Sequence, residues 1–216
     1  AAPFFDMDEH RIQRNAITEG SILKQLMNFF FPVLLGMLFQ QLYNMADAVI
    51  VGRFVGKNAL AAVGGSASQI LNLIIGFFTG LCSGATVIIA QYYGANDDED
   101  VSKGVQTAIV FAAVCGVIMT VVGIVTAPWL LRIMDTPEET MADSVSYMRI
   151  VYMAMIPAMI YNMGSAILRA VGDSKRPLYF LIICCVLNVA MDIVAVVVFD
   201  LAVEGVAIAT SLAQLI

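Results

Sequence analysis

Six long apolar runs, separated by short polar breaks, decide what this chain can fold into. They cover residues 23–51, 59–93, 104–131, 145–168, 177–199 and 205 to the end. A helix of about 20 apolar residues crosses the hydrocarbon of a bilayer. The first five runs reach that length, and the sixth gives roughly a dozen residues before Ile216. The composition agrees. Hydrophobic residues make up 60% of the chain and charged residues 13%, whereas a soluble domain carries about 25% charged residues. The reading is an all-α, polytopic membrane helix bundle of six transmembrane helices, the sixth truncated.

Residues 1–20 are polar and mixed in charge and lead into Glu19-Gly20-Ser21. They do not have the pattern of a signal peptide and are read as a cytoplasmic N-terminal segment. Residues 21–216 are read as one six-helix lobe, cut inside its last helix. The chain opens on Ala1, so a fragment of a longer protein is expected. Lys and Arg in the flanks set the orientation, because cytoplasmic loops carry the excess. With the N-terminus inside, the inner flanks hold Arg11, Arg14, Lys24, Lys103, Arg169, Lys175 and Arg176. The outer flanks hold Arg53, Lys57, Arg132 and Arg149. That balance favours a cytoplasmic N-terminus.

The breaks fit this plan. "GANDDED" (94–100) and "VGDSKRP" (171–177) are polar and turn-rich. Asp97-Asp98-Glu99-Asp100 reads as a solvated turn, so the net charge of −6 does not point to a nucleic-acid partner. Pro177 suits the first turn of the fifth helix. Pro32 and Pro157 interrupt apolar runs, where proline frees a carbonyl and kinks a helix. Each marks either a fixed bend or a hinge. Cys82, Cys115, Cys184 and Cys185 lie in apolar runs without zinc-ligand or disulfide-framework spacing, and read as small core residues.

Of 17 Asp and Glu residues, only Asp47 and Asp192 sit well inside apolar runs. An ionisable group there costs about 2.5–3.5 kcal/mol on insertion scales and usually faces a cavity or a partner on an ion path. The bland alternative is a structural hydrogen bond between helices. With the N-terminus inside, Asp47 and Asp192 lie roughly 7 and 12 Å below the outer helix ends, at ~1.5 Å per residue. Asn188 is one turn from Asp192 on the same helix face. Tyr147 and Thr210 enter the fourth and sixth helices from the outer side. Gln40 precedes Asp47 by two turns on the same face. Depth alone does not establish contact.

The stretches "FPVLLGMLFQQLYNMADAVIVGRFVGKNALAAVG" (31–64), "GLCSGATVIIAQYYGA" (80–95), "ILRAVGDSKRP" (167–177), "LNVAMDIVAVVVF" (187–199) and "GVAIAT" (205–210) carry a resemblance. Together they resemble the N-terminal lobe of a multidrug and toxic compound extrusion (MATE) transporter of the DinF-like branch. The resemblance covers nearly everything after residue 20. It implies one lobe of a two-lobe, twelve-helix antiporter, with substrate moving between the lobes, in the cytoplasmic membrane of a prokaryote. It also implies a cation site at Asp47, Tyr147, Asn188, Asp192 and Thr210, a substrate cavity touching Gln40 and Asn162, and a helix bend at Pro32 coupled to the cation. The implied partners are small organic, often cationic, substrates, H⁺ or Na⁺, membrane lipid and the missing C-terminal lobe. No cofactor and no catalytic residue is expected.

The chemistry of the acids suggests how such a site works. Removal from water disfavours the charged form of a carboxylate. Two acids beside a phenol, an amide and a hydroxyl suit either a proton or a dehydrated Na⁺, since hard cations take oxygen ligands. Protonation needs no tight cage and is favoured. Neutralisation lets the first helix rearrange, changing the cavity, provided the cation binds the two conformations differently. Met148, Met153, Met155, Met159 and Met163 suit either an adaptable cavity or a core. Two rivals remain. A flippase for lipid-linked precursors needs several cationic side chains for pyrophosphate, and only Arg149 stands near the spans' ends for that. An intramembrane protease lacks a histidine in the runs, since the only one is His10, and both aspartates lack a preceding glycine.

Overall fold

The computed structural model describes residues 21–198 and 203–213, and every element among them is helical. Residues 1–20, 199–202 and 214–216 lie outside the described residues. The first run forms α1 (Ile22–Ile50), which passes into a π-helical turn at Val51–Val55. The second forms a short α2 (Lys57–Gly64) and a long α3 (Ser66–Gly94). The third is α4 (Asp98–Ile133). The fourth is split into α5 (Glu138–Met153) and α6 (Met155–Ala170). The fifth is α7 (Lys175–Ile193), with a second π-helical turn at Val194–Val198, and the sixth is α8 (Val203–Ala213). Among the described residues, four spans are long and apolar enough to cross a membrane: Ile22–Val55, Lys57–Gly94, Asp98–Ile133 and Lys175–Val196. The α5–α6 pair makes a fifth if its 53° bend lies within one crossing. We call the end of the bundle with the turns near 56 and 135 the upper end, and the end with the turns near 96 and 172 the lower end.

Three boundaries differ from the sequence expectation. The acidic stretch is not merely a solvated turn. Asp97 caps α4, accepting the Asp100 N–H at 3.1 Å, and Asp98, Glu99 and Asp100 form its first turn. Carboxylates there complement the positive end of the helix dipole. The fourth helix starts at Glu138 rather than near 145, because its charged first turn, Glu138 and Glu139, is helix and not loop. It also breaks at Ala154, three residues before Pro157. Pro157 thus sits in the first turn of α6, where its missing N–H costs nothing. Pro177 holds the same position in α7, as expected. Pro32 lies inside a helix assigned without a break from Ile22 to Ile50.

The core is built around the broken helix. Met148, Tyr152, Met155, Met159 and Met163 are buried there, while Met153 faces outward at 58% exposure. Four of the five methionines therefore fill the core. Opposite them, α4 buries Ala108, Ala112, Gly116, Gly123 and Ala127. Small side chains let helix backbones approach closely. A Cβ on Gly116 would lie 2.8 Å from the Ile156 Cα, and one on Gly123 would run into the Tyr152 ring. Between these glycines the Thr120 hydroxyl donates to the Tyr152 carbonyl at 2.7 Å. The bend is thus gripped from α4 on either side of Ala154. By contrast, α1 packs mainly on α7 and has Ile50 as its one buried residue. Cys82 is buried, and all four cysteines are free thiols.

Candidate functional site

The pairing of α1 with α7 brings Asp47 and Asp192 together. Their carboxyl groups are neighbours in the bundle. Asp192 and Asn188, one turn apart on α7, are both fully buried. Asn188 donates its side-chain amide to the Thr210 hydroxyl of α8 at 3.3 Å. Tyr147 of α5 is half-buried and faces both acids. Four helices therefore carry the five expected residues into one cluster.

The structure adds Tyr43, which the sequence reading passed over. Its side chain stands beside Asp47 and Thr210. It precedes Asp47 by four residues, so both point from one face of α1. That spacing was the available signal. An aromatic inside an apolar run reads first as packing.

Four acceptor oxygens of the cluster are without donors. Asp47 Oδ1, Asn188 Oδ1 and both carboxylate oxygens of Asp192 are buried without a hydrogen-bond partner. The two acids are neighbours, yet a pair of carboxylates has no proton to share unless one is added. Buried polar atoms are normally satisfied, and an orphaned group costs about 1–3 kcal/mol, more when it is charged. The site is also dry on its upper side. Ile50, Val51, Val196 and Val206 form a buried apolar cluster with Ala59, and Tyr147 packs against it. Each of these four side chains sits about one helical turn above Asp47, Asp192 or Thr210. Both π-helical turns contribute to this cap, through Val51 and Val196.

The other expected residues lie elsewhere. Asn162 lines an open recess of about 470 Å³ between α3 and α6, and gives a side-chain amide proton to the Ala158 carbonyl at 2.9 Å. Gln40 is exposed on α1 and is not among the residues lining that recess.

A family model described as MatE matches residues 32–194. The chain belongs to the MatE family. The match includes Asp47, Tyr147, Asn188 and Asp192 and ends before Thr210. Among relatives with this similarity, the probable multidrug resistance protein YoeA of Bacillus subtilis (strain 168) is 34% identical over 174 residues, covering 81% of this chain and 37% of YoeA. The probable multidrug resistance protein YpnP of the same organism is 30% identical over 197 residues, covering 91% of this chain and 44% of YpnP. A crystal structure of a MATE protein in the bent conformation superposes with a TM-score of 0.86 at 26% identity, covering 98% of this chain and 46% of that one. The chain thus spans less than half the length of these MatE relatives.

Proposed function

We propose that this chain is the N-terminal half of a cation-coupled antiporter that exports small organic compounds, and that Asp47 and Asp192 hold the coupling cation. The single observation that carries this reading is the set of four buried acceptor oxygens without donors on Asp47, Asn188 and Asp192. Such a set is costly as it stands and is relieved by a proton or a cation. Tyr43, Tyr147 and Thr210 complete the surround with hydroxyl groups. A Na⁺ finds oxygen ligands here, but a proton needs only the gap between the two carboxyls, and is the cation we assign.

The working cycle follows from that chemistry. The N-terminus is cytoplasmic, so the upper end faces outward and the Ile50–Val51–Val196–Val206 cap separates the acids from the outside. A proton entering from outside neutralises the pair and removes the repulsion between α1 and α7. Helix α1, held by few buried contacts, then shifts against α7, and its partner lobe releases substrate outward. The bend belongs at Pro32, where a residue without an N–H leaves one hydrogen bond unmade. A shift of this kind requires the proton to bind one conformation more tightly than the other. The setting is the cytoplasmic membrane of a prokaryote. The names of the multidrug relatives support export of xenobiotics over a lipid-linked precursor or a peptide substrate.

The test is export by the full-length transporter in proteoliposomes, with a pH gradient or a Na⁺ gradient imposed separately. Asp47→Asn keeps the side-chain shape and cannot change charge. We expect it to abolish gradient-driven export while leaving expression intact. Wild-type export by Asp47→Asn would overturn the coupling role. Export driven by Na⁺ alone, insensitive to collapse of the pH gradient, would replace the proton by Na⁺ at the same residues.

A further inference from the structure

The recess between α3 and α6 lies away from the acid pair and has the opposite charge. Thr79, Cys82, Ser83 and Thr86 of α3 line it, with Asn162 and Arg169 of α6. No carboxylate lines it, and Arg169 is its only charged residue. The ionisable groups near this guanidinium are Tyr161 and Cys82. The nearest acid in sequence, Asp173, is engaged elsewhere. It pairs with Arg176 at 3.1 Å and accepts the backbone N–H groups of Lys175 and Arg176. Among the described residues Arg169 forms no ion pair.

Three of the neutral polar side chains of the recess already donate to backbone carbonyls. Thr79 and Thr86 donate to the carbonyls of Ile75 and Ser83, both at 2.8 Å, and Asn162 donates to Ala158. The guanidinium, with its five fixed N–H donors, is the one charged group lining the recess, and none of the described acids pairs with it. A cation in the last turn of a helix is favourable in its own right, but that alone asks for no recess beside it. The lining runs along α3 from Thr79 to Ala90, roughly 16 Å at ~1.5 Å per residue. Arg169 stands at its lower end, and the walls above it are uncharged.

We infer that this recess binds an amphiphilic anion, its carboxylate or phosphate paired with Arg169 and its body lying along α3 toward Thr79. Guanidinium binds such groups through paired N–H···O bonds. The shared chemistry has two sources, a dissolved organic acid or the headgroup of an anionic lipid in the adjoining leaflet. The inference does not depend on the coupling role of Asp47, because it concerns binding and not export.

The test is saturable binding of laurate and of dodecyltrimethylammonium to the full-length transporter in phosphatidylcholine nanodiscs, against empty nanodiscs. We expect laurate to bind, Arg169→Gln to weaken it about tenfold or more, equivalent to a lost charged hydrogen-bond pair, and Arg169→Lys to recover part of the loss. The ammonium probe should not weaken in Arg169→Gln. Asp47→Asn should keep laurate binding even where export is lost, which separates this site from the coupling reading. If phosphatidylglycerol in the nanodisc displaces laurate, the natural occupant is lipid. If it does not, the occupant is a dissolved acid. Should Arg169→Gln not fold, Ala90→Phe fills the lower recess with Arg169 in place, and it should remove laurate binding. No saturable laurate binding, unchanged affinity in the variant tested, or parallel loss of the ammonium probe would overturn the inference.

Discussion

Pro157 and Pro32 sit in regions of this bundle built on opposite principles. Pro157 stands at a 53° bend that α4 grips on both sides. Gly116 and Gly123 admit the backbone of Ile156 and the ring of Tyr152, and Thr120 ties down the Tyr152 carbonyl. Interiors packed this closely resist continuous deformation. Pro32 stands in a helix with one buried residue, laid against α7. The donorless acceptors of Asp47, Asn188 and Asp192 belong to this second region. The contrast separates the two readings that the bare sequence left equal. The close packing around Ala154 supports a fixed bend at Pro157, and the hinge we propose lies in α1, at Pro32. The closest packing lies among α4, α5 and α6, and the two acids to which we assign the coupling proton lie on α1 and α7.

The largest effect should come from breaking the grip. Gly123→Leu drives a side chain into Tyr152, and overpacking of this kind costs about 3 kcal/mol or more. We expect loss of the folded protein, or a large fall in melting temperature, in detergent. A melting temperature close to wild type would mean the α4 contact is not what holds the bend.

Asp192→Asn should do the reverse. It removes a buried carboxylate that lacks donors, and we expect roughly 1–2 kcal/mol of added stability together with loss of gradient-driven export. A less stable Asp192→Asn would show that the carboxylate pair supports the fold and would blur the division between the two regions.

Thr120→Val leaves the Tyr152 carbonyl without its donor. The expected cost is about 1 kcal/mol, read in thermal unfolding, with export kept. Pro157→Ala should cost less still, below ~1 kcal/mol, because the α4 contacts and not the ring alone hold the bend. Straightening of the helix in a structure of Pro157→Ala would assign the bend to the proline itself. The smallest stability change belongs to Tyr43→Phe, within about 0.5 kcal/mol. Its effect should appear instead as a shift in the pH dependence of export. An unshifted profile would remove Tyr43 from the site.

Much of this was readable beforehand, for definite reasons. The crossing helices follow from apolar runs, because a bilayer needs a fixed length of apolar helix. The acids stood out because charge inside such a run is expensive. Asn188 joined Asp192 by helical spacing alone. Tyr43 did not stand out, since the same spacing argument applies equally to any aromatic packed in a core. Glu138 and Glu139 looked like loop because a charged first turn and a solvated loop have the same composition. Arg169 looked like one more flanking cation.

The sequence by itself determined the solvent this chain folds in, its helical class, and which two carboxylates had to find a special place. These are local properties, set by hydropathy over about twenty residues and by the cost of an isolated charge. Only the tertiary structure decided that Asp47 meets Asp192, that Thr120 reaches Tyr152 across 32 positions, and that Arg169 faces a recess without a carboxylate. Those facts depend on which helices become neighbours and how they rotate. Neighbour choice is fixed by the fit of small residues on α4 against Tyr152 and the methionines of α5 and α6. No periodicity within one helix records its partner.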